Sequence, residues 1–271
     1  MRKYVQSQFA MYRVNQYWKK RKKSRPHGLD KELIVSLTSY PARFPTLILT
    51  LKNLLTQTIK PDQIILWISE NDRDKLTDDI LNLQSTDFRI SFCEDIMSFK
   101  KIIPTLRENL NRHIITVDDD IFYSPTLVEE FVEKTKQNPG KVIAQRAHKL
   151  TLNEDNLPKL YADWIYEGGE DKLSALNFPT GVRGVFYPAN CFHPDVIRDD
   201  IFMKLCPSCD DAWLYWMVRL QGGATICLKN NKNKIYWPKS QIATLWRRNR
   251  LADGNDFQIQ KLIKYYGFPD L

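Results

Sequence analysis

Three consecutive carboxylates, Asp118-Asp119-Asp120, directly follow the apolar run Ile114-Ile115-Thr116-Val117. Like charges a few ångströms apart repel and raise one another's pKa, so such a triplet is costly unless something balances it. A divalent cation does so. Hard oxygen ligands select Mg2+ or Mn2+, which take few carboxylates and complete their shell with diphosphate oxygens and water. The ion then neutralises charge developing on a departing nucleoside diphosphate. The plain alternative is a solvated acidic turn, and placement between an apolar strand and the helix-start signal Pro125 weighs against it.

A second constellation, Cys209-Asp210-Asp211-Ala212-Trp213-Leu214, sets two acids at the opening of an amphipathic helix. Capping accounts for one of them. The other is free to deprotonate an attacking hydroxyl as a general base. Further along the chain the readings stay open. In Val182-Arg183-Gly184, glycine admits close backbone approach and Arg183 could bind phosphate, or the segment is simply a strand end. Arg247-Arg248-Asn249-Arg250 with Asp253-Gly254-Asn255-Asp256 is either a loop that closes over a diphosphate or surface charge. Cys206 and Cys209 have C-x-x-C spacing, but no second pair or His cluster completes a zinc site.

These residues need a frame to hold them. Strand-like runs at 33–38, 63–69, 88–93 and 113–117 alternate with helix-like stretches at 46–57, 72–83 and 99–110. The alternation predicts βαβ units and an α/β fold with a mostly parallel sheet, whose ligands bind beyond the carboxyl ends of the strands. Polar residues follow each strand in turn. After Leu33–Thr38, the hydroxyls, ring and guanidinium of Ser39, Tyr40 and Arg43 could hold a nucleobase and a phosphate. Glu70 could bond a base or cap the next helix. Lys100 and Lys101 follow the third strand, and the aspartates follow the fourth. In the second half, 142–146, 182–187 and 225–228 are expected strands and 211–220 a helix. The long polar and aromatic loop 151–179 suits an acceptor site.

With 271 residues, 43% of them hydrophobic and 12% aromatic, the chain can bury a sizeable core. Its net charge of +8 is local: nine of the 40 Lys and Arg lie in residues 1–25, which hold no acid, leaving 31 against 32 acids elsewhere. A basic arm on a near-neutral body argues against a nucleic-acid groove. It fits a local contact with anionic lipid or a partner, or a merely solvated tail. Val5, Phe9, Tyr12 and Tyr17 stand at loosely helical spacing before Lys19-Lys20-Arg21-Lys22-Lys23, so a weakly amphipathic basic helix is expected. Pro26-His27-Gly28 breaks it, dividing the chain into an arm (1–28) and a catalytic body (29–271). No apolar run approaches the ~18 residues of a spanning helix and no leader pattern is present, so a cytoplasmic protein is expected, peripheral at the inner membrane. Five cysteines, an odd number in core-like segments, read as reduced thiols.

Together, residues 35–43, 100–106, 118–123 and 209–213 resemble GT-A glycosyltransferases of the family-two type, and among them the bacterial transferases of lipopolysaccharide and capsule. The resemblance implies a GT-A, Rossmann-like nucleotide-binding fold and metal-dependent, inverting transfer of a hexose-like sugar. The implied donor is a nucleotide sugar, UDP favoured, and the acceptor a surface glycan or lipid-linked glycan. It assigns Mn2+ or Mg2+ to Asp118 and Asp120, with Asp118 also turned towards the ribose. It makes Asp211, beside Asp210, the base. Thr38, Tyr40, Arg43, Glu70, Lys100, Asp118 and Asp119 are the expected donor contacts. Many metal-dependent members add a late histidine ligand; none follows His193, leaving water, Asn249 or Asn255 for that place. Two other classes share part of this pattern. A sugar nucleotidyltransferase should carry a glycine-rich phosphate loop, and 39–43 has no glycine. A non-catalytic glycan-binding or scaffold protein of this fold is favoured by the basic arm and the missing histidine.

Overall fold

Leu33–Thr38 is almost wholly buried, the near-continuous apolar run of a strand covered on both faces. It is an interior strand of the sheet, with a neighbour on either side. The computed structural model describes residues 2–20, 23–228, 234–238, 240 and 254–270. In chain order they form α1 (Arg2–Lys20), β1 (Arg25–Pro26), β2 (Leu33–Thr38), α2 (Phe44–Leu54), β3 (Ile59–Lys60), β4 (Gln63–Ser69), α3 (Asp78–Leu81), β5 (Phe88–Cys93), α4 (Ile103–Glu108) and β6 (His113–Thr116). Then come α5 (Leu127–Gln137), β7 (Val142–Ala144), β8 (Ala147–Lys149), β9 (Asn177–Pro179), β10 (Val185–Tyr187), α6 (Asp199–Leu205), α7 (Asp210–Leu220), β11 (Thr225–Cys227) and α8 (Gly254–Tyr266).

The fold is α/β, built on a seven-stranded sheet of order β11-β7-β10-β6-β2-β4-β5. β2 runs parallel to both β4 and β6, while β10 is antiparallel to its neighbours β6 and β7. The chain winds outward from β2 through β4 to β5, then returns to place β6 on the other side of β2. The strand order therefore reverses between β2 and β6, the switch point where such sheets leave a crevice beyond their carboxyl ends.

Helices cover both faces. On one, Leu47 and Leu51 of α2 and Val128 and Phe131 of α5 pack against Val35, Leu66 and Ile115. On the other, Phe99, Leu106, Phe202, Trp213 and Trp216 pack against Ile114 and Val185. Ser36, in the middle of β2, is tolerated there because its hydroxyl meets Thr105 Oγ1 at 2.9 Å, and Thr105 also receives Trp67 Nε1 at 2.8 Å.

Several expected elements are shorter than the sequence pattern suggests. The helix expected over 72–83 is a 3₁₀ turn, Glu70–Lys75, followed by the single-turn α3, because the acid-rich stretch buries only Ile80. The helix expected over 99–110 divides into a 3₁₀ turn, Met97–Lys101, and α4, with Pro104 opening the latter. The strand expected over 182–187 starts only at Val185, since Arg183 and Gly184 adopt φ of 81° and 103°. A Cβ on Gly184 would stand 3.3 Å from both the Thr116 carbonyl oxygen and the Phe131 ring. The loop 151–179 is pinned by the buried Asn177, whose Nδ2 donates to the carbonyls of Glu170, Lys172 and Thr225.

Candidate active site

The switch point puts the residues after β2 beside those after β6. Ser39 Oγ donates to Asp119 Oδ2 at 2.6 Å, and Thr50 Oγ1 of α2 donates to the Asp119 carbonyl at 2.7 Å. Arg43, on the 3₁₀ turn after β2, reaches back to Asp120 in a close ion pair and stands 3.6 Å from Asp119 Oδ1. Its Nε donates to Tyr40 Oη at 3.1 Å. The acidic run is further held by its backbone: Asp118 N–H donates to Tyr123 Oη at 2.7 Å, and Asp120 O accepts Trp237 N–H at 2.9 Å.

Ninety residues later in sequence, α7 opens against the same place. Lys101 Nζ lies 2.7 Å from Asp210 Oδ2 and 3.8 Å from Asp118 Oδ1, joining the two acidic motifs. Ser98 Oγ donates to the other oxygen of Asp210 at 2.8 Å. Asp211 Oδ1 accepts the Gly181 amide at 3.0 Å. Gly181 marks the point of convergence: a Cβ there would be 2.6 Å from Lys101 Nζ, 3.3 Å from Asp211 Oδ1 and 3.7 Å from Asp118 Oδ1.

Among the described residues, Arg43 and Lys101 pair directly with this group of five carboxylates. Burial pushes Asp119 up to about 7, although Arg43 pulls against it. Burial likewise raises Asp118, with Asp120 and Asp210 adding to it and Lys101 opposing. Burial and then the neighbouring Asp210 raise Asp211. Burial alone would discharge Lys101, but Asp210, Asp118 and Asp211 hold it firmly protonated. Burial, then the charge of Asp211, raises the phenols of Tyr161 and Tyr187, which place two rings by the first turn of α7.

Clustered carboxylate oxygens are the donor type that suits a hard divalent cation. Among the described residues, however, no three His, Cys, Asp or Glu converge to hold an ion by themselves.

Other candidate residues have local partners. Thr38 Oγ1 donates to the Trp67 carbonyl at 2.8 Å. Glu70 takes three hydrogen bonds from the exposed Arg73. Lys100 closes on Asp95, whereas the next residue, Lys101, faces the acids. Arg183 occupies a left-handed turn beside the strand end. Asn255 lies in the first turn of α8, where Asp256 accepts the Tyr161 amide at 2.7 Å. Asn249, the run 247–250 and Asp253 lie outside the described residues. Cys206 and Cys209 are buried free thiols. Lys101 as the bridge and Gly181 as the convergence point were not singled out in the sequence; a glycine directly after Pro179-Thr180 was the available signal.

No family model matches the chain, and no curated protein matches it. The similarity found is to solved structures. One is S. aureus TarS 1-349 in complex with UDP, 14% identical over 76% of this chain and 60% of that one, with a TM-score of 0.44. S. aureus TarS 1-349 is also matched at 12% identity over 87% of this chain and 72% of that one, again at 0.44. The 4-diphosphocytidyl-2C-methyl-D-erythritolsynthase of Anaerococcus prevotii is 16% identical over 64% of this chain and 76% of that one, at 0.37. The chain spans 60% of the length of the first of these. At such identities and scores the likenesses carry no functional argument, and function is read from the site.

Proposed function

We propose that this chain is a metal-dependent glycosyltransferase that moves a sugar from a nucleotide-diphosphate donor, UDP-sugar favoured, to a hydroxyl of a bacterial surface glycan, with inversion. The observation that carries the reading is the convergence at Gly181, where Asp211 and Asp118 come within 3.3 and 3.7 Å of one point beside the β2–β6 switch. On this reading one acidic motif would line the donor crevice and the other would reach the same reacting atoms.

Asp118 and Asp120 would hold Mg2+ or Mn2+, which when bound neutralises the leaving diphosphate. Arg43 keeps Asp120 oriented, and Ser39 and Thr50 fix the loop that carries both ligands. Asp211 acts as the base. Its Oδ1 is oriented by the Gly181 amide, and its raised pKa makes it a stronger proton acceptor than an ordinary carboxylate. The acceptor hydroxyl gives its proton to Asp211 as its oxygen attacks the anomeric carbon and the bond to the diphosphate breaks. Asp210, paired with Lys101 and Ser98, positions the start of α7.

The test is release of nucleoside diphosphate from a panel of nucleotide sugars, with Mn2+ or with chelator. Metal-dependent release lost in Asp211→Asn and Asp120→Asn supports the reading. Release of pyrophosphate from a nucleoside triphosphate and a sugar phosphate would instead make the chain a nucleotidyltransferase.

A further inference from the structure

Helix α1 has two working faces. Ala10 and Val14 are buried with Leu49 of α2 and Trp237, so the helix is packed onto the body. The opposite face carries Tyr4, Val5, Phe9 and Tyr12 at 64, 59, 60 and 61% exposure. Their spacing sets all four on one stripe, and continuing the stripe by helical turns brings in the exposed Lys19 and Lys20. The 19 residues of α1 contain no acid. The chain's basic excess lies in this helix and the few residues after it. Aromatic side chains beside lysines, on a helix without acids, are the chemistry of the headgroup region of a bilayer. No helix among the described residues is long and apolar enough to cross a membrane, so contact would lie in the interface plane.

We propose that the outer face of α1, formed by Tyr4, Val5, Phe9 and Tyr12 with Lys19 and Lys20, docks the protein on an anionic lipid surface. Charge complementarity selects this occupant over a second copy, because two copies meeting at this face would oppose one basic helix to another. The docking helix is also a fixed part of the site's scaffold. The Arg13 guanidinium lies 5.7 Å from the Phe122 ring centre, Phe122 N–H donates to Ile235 O at 2.9 Å, and Trp237 N–H donates to Asp120 O at 2.9 Å. A lipid surface beneath α1 is therefore one layer of packing from the acidic run. The inference rests on the helix face and stands whatever reaction the site performs.

The experiment is vesicle co-sedimentation of the full chain, with phosphatidylcholine alone and with an equal part of phosphatidylglycerol, at low and high salt. Binding to the anionic vesicles is expected, weakened by salt and absent from the neutral ones. Phe9→Ser with Tyr12→Ser, and separately Lys19→Gln with Lys20→Gln, should each lower the partition coefficient by about tenfold or more. Both pairs lie on an exposed face, and an unchanged melting temperature confirms that each variant is folded. Absence of binding to either vesicle, or binding by both variants undiminished from that of the unsubstituted chain, overturns the proposal. So does a dimer, by light scattering, that the aromatic variant dissociates.

Discussion

The ammonium of Lys101 stands 2.7 Å from Asp210 Oδ2, tying the first turn of α7 to the turn that precedes α4. Both side chains are about nine-tenths buried, so neither charge is well solvated without the other. Removing one partner of a buried pair leaves the other uncompensated. Lys101→Met should therefore cost about 3–5 kcal/mol, read as a lower denaturation midpoint. Adding Asp210→Asn to it should recover part of that loss, because the stranded carboxylate is then gone. Lys100→Met should cost less, because its partner Asp95 is half exposed.

Gly181→Ala tests the convergence point. The new methyl meets Lys101 Nζ at 2.6 Å, and a lysine end can yield, so the fold should survive. The displaced ammonium and the tightened approach to Asp211 should lower turnover by about tenfold to a hundredfold. Steady-state rates beside a melting curve that keeps a single cooperative transition check this.

Asp211→Asn keeps an acceptor oxygen for the Gly181 amide but removes the base. Turnover should fall by about a hundredfold or more, while calorimetry shows nucleotide binding intact. In the wild type, the raised pKa of Asp211 predicts that the acid limb of the rate profile lies above the usual carboxylate range of about 4.

Thr50 joins two buried groups, donating to the Asp119 carbonyl and accepting Trp237 Nε1 at 2.7 Å. Thr50→Val orphans both at similar volume. A loss of about 1–3 kcal/mol per orphaned group is expected, measured by denaturant unfolding.

The acids also predict how metal and pH combine. Asp119 titrates at about 7 in the folded chain against 3.8 for an unperturbed group. The folded state thus holds a proton that the unfolded state has released, so this group favours folding below about pH 4, and that contribution fades as pH rises through about 7. A divalent cation relieves the same repulsion and competes with those protons. The rise in melting temperature on adding Mn2+ should be larger near pH 8 than near pH 5.

Much of this arrangement was legible in the sequence. The βαβ alternation from 33 to 117 is carried by long apolar strands, and the strand-end rule leads from it to Arg43 and the three aspartates. The second half was less so, because β7, β10 and β11 are three residues each, too short for a period to show. The choice between Lys100 and Lys101 was not legible either. Successive residues of a 3₁₀ turn point about a third of a turn apart, so two adjacent buried lysines meet different carboxylates, Asp95 and Asp210, and only the folded turn shows which meets which. Arg43 was expected on a phosphate and is found on Asp119 and Asp120, its nearest opposite charges.

The most direct test of the nucleotide-site reading is a thermal-shift series with nucleoside diphosphates and nucleotide sugars, each with and without Mn2+. Ligand at a hundred times its Kd adds about 2.7 kcal/mol of stability. The account predicts a rise with one nucleotide that requires Mn2+ and disappears in Asp120→Asn. A well-folded protein that shifts with none of them would contradict it.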